Sequence, residues 1–300
     1  MCRLEKMVET KKDSTRRFVR NISIDSQSIP VWEVWDIYGF VKLLGHAKFI
    51  NNKYGGILFR GQTKIYPTFR PSAYRRLNNK GANQHLEKMI DILVKDAGRD
   101  ENSNCTIASF TNTKEREAFE AILQHYGFRT RMIDVVDNQW VALWFASHHR
   151  MTDNELCPNY KACKECYESE RYIDSTEEFS YVYLLAIPEI ESRTKACKGI
   201  EKDERHCLVD IRKACPSTIL RPHMQHGLVV GYYDEKRNFS ENYAQQLVGI
   251  VRIKTQTCLE WLNGDRTLNA RTLFPCPNFD EMYKMILETR KDLFETLDQE

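Results

Sequence analysis

The sequence predicts an α+β fold, with a mixed or antiparallel sheet flanked by helices and a Cys-bearing insertion. Two observations lead there. Segments with apolar residues at helical spacing are mixed with short β-rich runs that do not alternate regularly with them. The composition also changes after His149, where a polar, Glu- and Cys-rich stretch separates an earlier group of elements from a later group of strands.

Residues 1–26 are polar and charged without sustained periodicity, and predict a loose arm or a peripheral strand. From Val31 to Ile50 the spacing of Val34, Trp35, Tyr38, Val41 and Leu44 predicts an amphipathic helix. Lys53-Tyr54-Gly55-Gly56 reads as a turn, and Ile57-Leu58-Phe59 as a short strand. Residues 83–97 predict a second helix through Leu86, Met89, Ile90, Leu93 and Val94. Asn112 with Glu115 predicts the N-cap of a third, which carries Phe119, Ile122, Leu123 and Tyr126 and stops at Gly127. Gln139–His149 is apolar almost all round, which predicts a buried helix. Tyr181–Ile187, Leu208-Val209, Ile219-Leu220, Leu228–Tyr233 and Leu247–Ile253 predict strands, and Gln256–Asn263 and Phe279–Leu297 predict helices.

The chain has 300 residues, of which 42% are hydrophobic and 11% aromatic, enough apolar material to exclude a disordered or fibrous protein. With 44 basic and 42 acidic side chains the net charge is +2, so a general nucleic-acid-binding coat is not indicated. The longest apolar runs, Trp140–Ala146 and Tyr181–Ile187, are far short of the ~18 residues of a membrane span. The opening residues carry both signs of charge and no apolar core, which predicts no secretory signal, a cytoplasmic setting and no membrane partner. Ten cysteines in a reducing compartment point to free thiols or a metal rather than disulfides. Within them, Cys163 and Cys166 have the C-x2-C spacing that lets two thiolates meet one tetrahedral zinc, with Cys157 and Cys197 as further ligands and His206 or Cys207 as alternatives.

Two regions concentrate functional side chains. Leu58-Phe59-Arg60-Gly61-Gln62 places a guanidinium at a sheet margin beside a glycine that admits a close neighbour, followed by Tyr66-Pro67 and Arg70–Arg76. Gln124-His125-Tyr126-Gly127 and Thr130-Arg131-Met132-Ile133-Asp134 then gather polar groups just before the buried helix, with His125 a candidate general base and Asp134 its partner. Arg221 through Gln225 adds a polar rim ahead of the strand at 228. Together Arg60, Gln62, Gln124, Arg131, Asp134 and Arg221, with His125 and Gln225, predict an electropositive pocket for an anionic ligand such as a nucleotide or an exposed phosphate. The alternative is a structural hydrogen-bond network around buried arginines. The motifs G-x-S-x-G, G-x4-G-K-[ST] and H-E-x-x-H are absent.

These motifs, in order, resemble the FRG-domain family. The resemblance rests on Phe59-Arg60-Gly61-Gln62, Pro71-Ser72 with Arg75, Gln124-His125-Tyr126-Gly127, Thr130-Arg131 with Asp134, Ala142-Leu143 with Phe145-Ala146, Arg221 with Gln225 and Gly227, and Thr272–Pro275. It departs from the family pattern at Arg129 and at Val135-Val136. It implies an FRG-like domain over residues 27–300, an N-terminal arm at 1–26, and an insertion at about 151–207. It also implies an intracellular protein of bacterial or phage-linked biology. A weaker resemblance, to ADP-ribosyltransferase-like proteins, rests on Arg60, on Ala108-Ser109-Phe110-Thr111 and on Gln225-His226-Gly227. It implies NAD as cofactor, with Arg60 on its phosphates, Ser109 supporting the nicotinamide-ribose end, and His125 and Gln225 as catalytic candidates. Where that pattern has a glutamate, this chain has Gly227. The competing expectation is a non-catalytic module that senses a nucleotide-like small molecule or a phosphate-bearing macromolecule.

Overall fold

The computed structural model describes residues 2–4, 15–75, 116–150, 172–188, 190, 198–233, 240, 242–264, 266, 268–276 and 278–284, with isolated positions between 81 and 91. A mixed sheet of nine strands runs through these residues. Its strands are β1 (Arg16–Ile24), β2 (Gln27–Val34), β3 (Gly56–Gln62), β4 (Ile133–Val136), β7 (Phe179–Ile187), β8 (Ile200–Lys202), β9 (His206–Asp210), β10 (Gly227–Tyr232) and β11 (Leu247–Lys254). Their order is β1-β2-β11-β7-β3-β4-β10-β9-β8; β2 and β11 pair in parallel and the other neighbours are antiparallel. Strands β5 (His148–Arg150) and β6 (Tyr172–Asp174) form a separate pair. The fold is α+β with a mixed sheet, as the sequence predicts.

The helices are α1 (Ile37–Ile50), α2 (Arg116–His125), α3 (Gln139–Ser147), α4 (Ile211–Ala214), α5 (Leu220–Met224), α6 (Thr255–Trp261) and α7 (Ala270–Leu273). Helices α1, α3 and α6 cover one sheet face, where Phe40, Leu44, Val141, Trp144 and Cys258 share a core with Phe59, Val182, Leu184 and Val251. On the other face Leu58, Tyr183, Leu185, Val135 and Val230 pack with Phe69 and Tyr243. A third cluster joins α2 to β9 and β10 through Phe119, Ile122, Leu123, Val209 and Val229. The sequence anticipates α3 well: Asn138 caps it by accepting from the Trp140 amide at 2.9 Å, and its apolar surface is buried on both flanks.

Three expectations change. The helix predicted from Val31 begins only at Ile37. Residues 31–34 belong to β2, because Ile29–Val34 is a continuous buried run that pairs with β11, and Asp36 caps the helix by accepting from the Gly39 amide at 2.7 Å. Ile219-Leu220 is not a strand; Leu220 opens α5. The span 151–207, expected as an insertion, carries a central strand: β7 lies between β11 and β3 in the sheet. Of the two alternatives for the start of the chain, residues 16–24 take the peripheral strand, at the sheet edge. The helix predicted at 83–97, the cap at Asn112 and the end of the helix predicted at 279–297 lie outside the described residues. No described helix is long and apolar enough to cross a membrane.

Candidate anion-binding cavity

Two close approaches shape the site. A Cβ on Gly61 would fall 1.9 Å from the Ala142 carbonyl oxygen, so only glycine lets α3 sit this tightly on β3. A Cβ on Gly227 would fall 2.3 Å from the His125 ring, so the start of β10 makes room for that imidazole. The loop after β3 is held from the β1–β2 turn. Asp25 and Ser26 have φ of 44° and 66°, the left-handed pair a two-residue hairpin needs. The Asp25 carboxylate accepts from the Phe69 amide at 2.7 Å and pairs with Arg70 at 3.1 Å.

These elements enclose a cavity of about 520 Å³. Among the described residues Arg60, Arg70, Arg75, Arg150 and Arg221 line it, with a single carboxylate, Asp134. Phe145, Tyr172 and Phe274 contribute an aromatic wall, in which Tyr172 and Phe274 stack at 4.7 Å. Arg60 Nη1 donates to the Asp134 carbonyl at 2.8 Å and stands 3.7 Å from its Oδ2, with its side chain 23% exposed. Arg75 makes no hydrogen bond or ion pair among the described residues. Arg75 is an exposed residue of the lining, and its pKa is held below the usual guanidinium value by partial desolvation first and then by the positive charge of Arg60.

Beneath the arginines lies a directional network. Thr130 Oγ1 donates to Gln124 Oε1, which fixes that amide so that its Nε2 donates to Asp134 Oδ2 at 2.8 Å. Gln225 Nε2 donates to the Leu273 carbonyl at 2.8 Å, leaving its Oε1 facing His125 Nδ1 at 3.2 Å. His125 Nε2 is 3.8 Å from Asp134 Oδ1. Burial lowers the His125 pKa, opposed by the charge of Asp134 and the hydrogen bond to Gln225. Arg221 is 1% exposed and lies over the rings of Tyr126, Phe274 and Tyr283 at 4.8, 5.1 and 4.8 Å. Its Nη1 donates to the His125 carbonyl at 2.9 Å.

The structure thus brings Arg60, Gln62, Gln124, His125, Asp134, Arg221 and Gln225 to one cavity. Arg131 is not among them. It is committed to Glu120, a fully buried carboxylate that accepts from its backbone amide at 2.8 Å and from Nη2 at 2.6 Å. Ser109 lies outside the described residues, as do Cys157, Cys163, Cys166 and Cys197. Of the alternative zinc ligands, Cys207 is buried with its thiol pushed up to about 12, chiefly by that burial, and His206 Nδ1 is engaged by Asp203 at 3.0 Å. The described residues hold no group of three or more metal-ligating side chains.

Residues 55–155 match the family model of the FRG domain. The matched segment supplies the cationic floor, with Arg60, Gln62, Arg75, Gln124, His125 and Asp134. Arg221, Gln225 and Phe274 close the cavity from outside the matched segment. No curated protein and no solved structure matches the chain. Sequence reasoning did not assign Arg75, Arg150 or the aromatic wall to the site. Arg75 was signalled by its place in the arginine-rich run after the FRG motif; Arg150 and Tyr172 sit in elements whose pairing only the fold reveals.

Proposed function

We propose that the cavity binds a nucleotide-like anion, with its phosphate at Arg60 and Arg75 and its ring against Phe145, Tyr172 and Phe274. The observation that carries this reading is the pair of guanidinium groups Arg60 and Arg75, which line the cavity beside Asp134, with Arg75 making no hydrogen bond or ion pair among the described residues while Arg70 is already paired with Asp25. Guanidinium groups brought together against apolar walls favour a bound oxyanion, and a flat ring gains by stacking on the wall. ADP is the natural probe. It should raise the melting temperature where adenosine does not, and Arg60→Ala or Arg75→Ala should weaken its binding; stabilisation that survives both variants would refute the reading.

Binding without turnover is the version favoured. ADP-ribosyl transfer relies on a carboxylate beside the developing oxocarbenium charge. Among the described residues of the lining the one carboxylate is Asp134, which is held by Gln124 and Arg60; Glu235 and Glu241 lie outside the described residues. The protein is then a ligand-sensing module, and the resemblance to the FRG-domain family is what suggests a role in bacterial and phage-linked biology. Incubation with NAD separates the versions: nicotinamide release that vanishes in Arg60→Ala would establish the transferase instead.

A further inference from the structure

One proton is missing from the network under the cavity. The amide of Gln225 is oriented by the Leu273 carbonyl, so the atom it offers His125 Nδ1 is an acceptor, and Nδ1 must carry hydrogen. In the neutral ring Nε2 is then a bare lone pair. It faces Asp134 Oδ1 at 3.8 Å, another acceptor, and neither atom has a hydrogen-bond partner or contact with solvent. Asp134 cannot turn to relieve this without breaking the bond from Gln124 to its Oδ2. Two buried acceptors pointed at each other are unfavourable, and a hydrogen on Nε2 would satisfy both.

We propose that His125 and Asp134 form a proton-holding pair, so that an oxyanion seated on Arg60 and Arg75 is bound together with one proton taken from solvent onto His125 Nε2. The proposal rests on the anion-binding reading above and adds its regulation. The coupling follows from who shares Arg60. In the structure Arg60 is turned to Asp134, donating to its carbonyl and lying 3.7 Å from its carboxylate. An anion that draws on that guanidinium leaves Asp134 less compensated and adds negative charge near the ring, and both changes favour the imidazolium. The groups facing His125 are Asp134 from β4, the Gln225 amide and the backbone of Leu228, which favour the charged ring, and Arg221 from α5, which with burial opposes it. Because His125 would act on the anion through its charge and through Asp134 and not by a direct contact, it acts as a positioning residue.

Sulfate is a suitable probe, because it keeps its own charge across the range in which histidine titrates. In protein carrying 13C-labelled histidine, the His125 ring resonance is followed against pH with and without sulfate at constant ionic strength. The proposal expects the midpoint to rise by about one pH unit or more, and sulfate affinity to strengthen by up to about tenfold per pH unit lowered within that window. His125→Gln should bind sulfate with affinity independent of pH. Sulfate binding that depends on Arg60 but leaves the wild-type His125 midpoint unmoved would overturn the proton coupling while leaving the anion site standing. Binding that Arg60→Ala and Arg75→Ala do not weaken would overturn both. The wild-type titration decides the matter even if the variant fails to fold.

Discussion

Replacing Arg131 separates a fold-holding arginine from a ligand-binding one. Glu120 is 0% exposed; burial pushes its carboxyl pKa up, and the amide, Nε and Nη2 of Arg131 oppose that shift. Arg131→Ala strands that carboxylate in the core, and breaking a buried pair from one side costs about 3–5 kcal/mol. For a chain of 300 residues, an unfolding entropy of about 2.1 cal/mol/K per residue converts this to a drop in melting temperature of roughly 5–8 °C. Replacing both partners with apolar residues, as in Glu120→Leu with Arg131→Met, removes the stranded charge and should recover most of the loss. Calorimetry on wild type, single and double variants measures this directly, with ADP affinity measured on the same samples. The reasoning predicts lost stability in the single variant, recovery in the double, and little change in affinity below the melting transition. A single variant that keeps its stability but loses ADP would refute it, and would return Arg131 to the binding residues.

Further predictions concern glycine, charge and acid. Gly61→Ala should destabilise the protein by about 1–3 kcal/mol or more, because its methyl group meets the backbone of α3 and not a side chain that can turn away; chemical denaturation would register it. Arg75→Ala should weaken ADP binding by roughly tenfold or more, the worth of one charge-assisted contact, while leaving the melting temperature without ADP within about a degree, since the side chain has no hydrogen bond or ion pair among the described residues to lose. Burial lowers the His125 pKa in the folded empty protein, so the folded ring resists protonation that the unfolded chain accepts. Its contribution is therefore fully present above the unfolded value of about 6.5 and is lost as pH falls towards the folded value, at up to about 1.4 kcal/mol per pH unit. His125→Gln should show a shallower loss of stability than wild type below about pH 6.5 in urea titrations, and parallel curves would contradict this.

How far the sequence discloses this arrangement depends on the kind of signal. Local signals are read correctly: the all-round apolar surface of α3, the stop at Gly127 with its φ of 89°, and the strand before Arg60-Gly61. Ambiguity arises where an apolar run fits both periods. Val31–Val34 suits a helix face as well as a strand, and only its partner β11, more than 200 residues away, decides for the strand. β7 sits behind a polar stretch and looks peripheral by position, although its continuous apolar run is what a central strand requires. At the site, the residues that converge are those whose type implies a polar environment near a core, such as Arg60, Gln124, His125, Asp134 and Gln225. Arg131 has the same appearance in sequence. It differs only because Glu120, one helical face away on α2, is buried and waiting for it. Partner choice of that kind is a tertiary fact. The same holds for the aromatic wall, which draws Phe145, Tyr172 and Phe274 from three elements.

The central claim concerns where an anion comes to rest, and a crystal structure with ADP bound tests it most directly. The account predicts phosphate oxygens within hydrogen-bond distance of both Arg60 and Arg75, with the adenine ring against Phe145, Tyr172 and Phe274. An ADP molecule held elsewhere on the protein, with Arg60 still turned to Asp134 and no phosphate oxygen near Arg75, would contradict it.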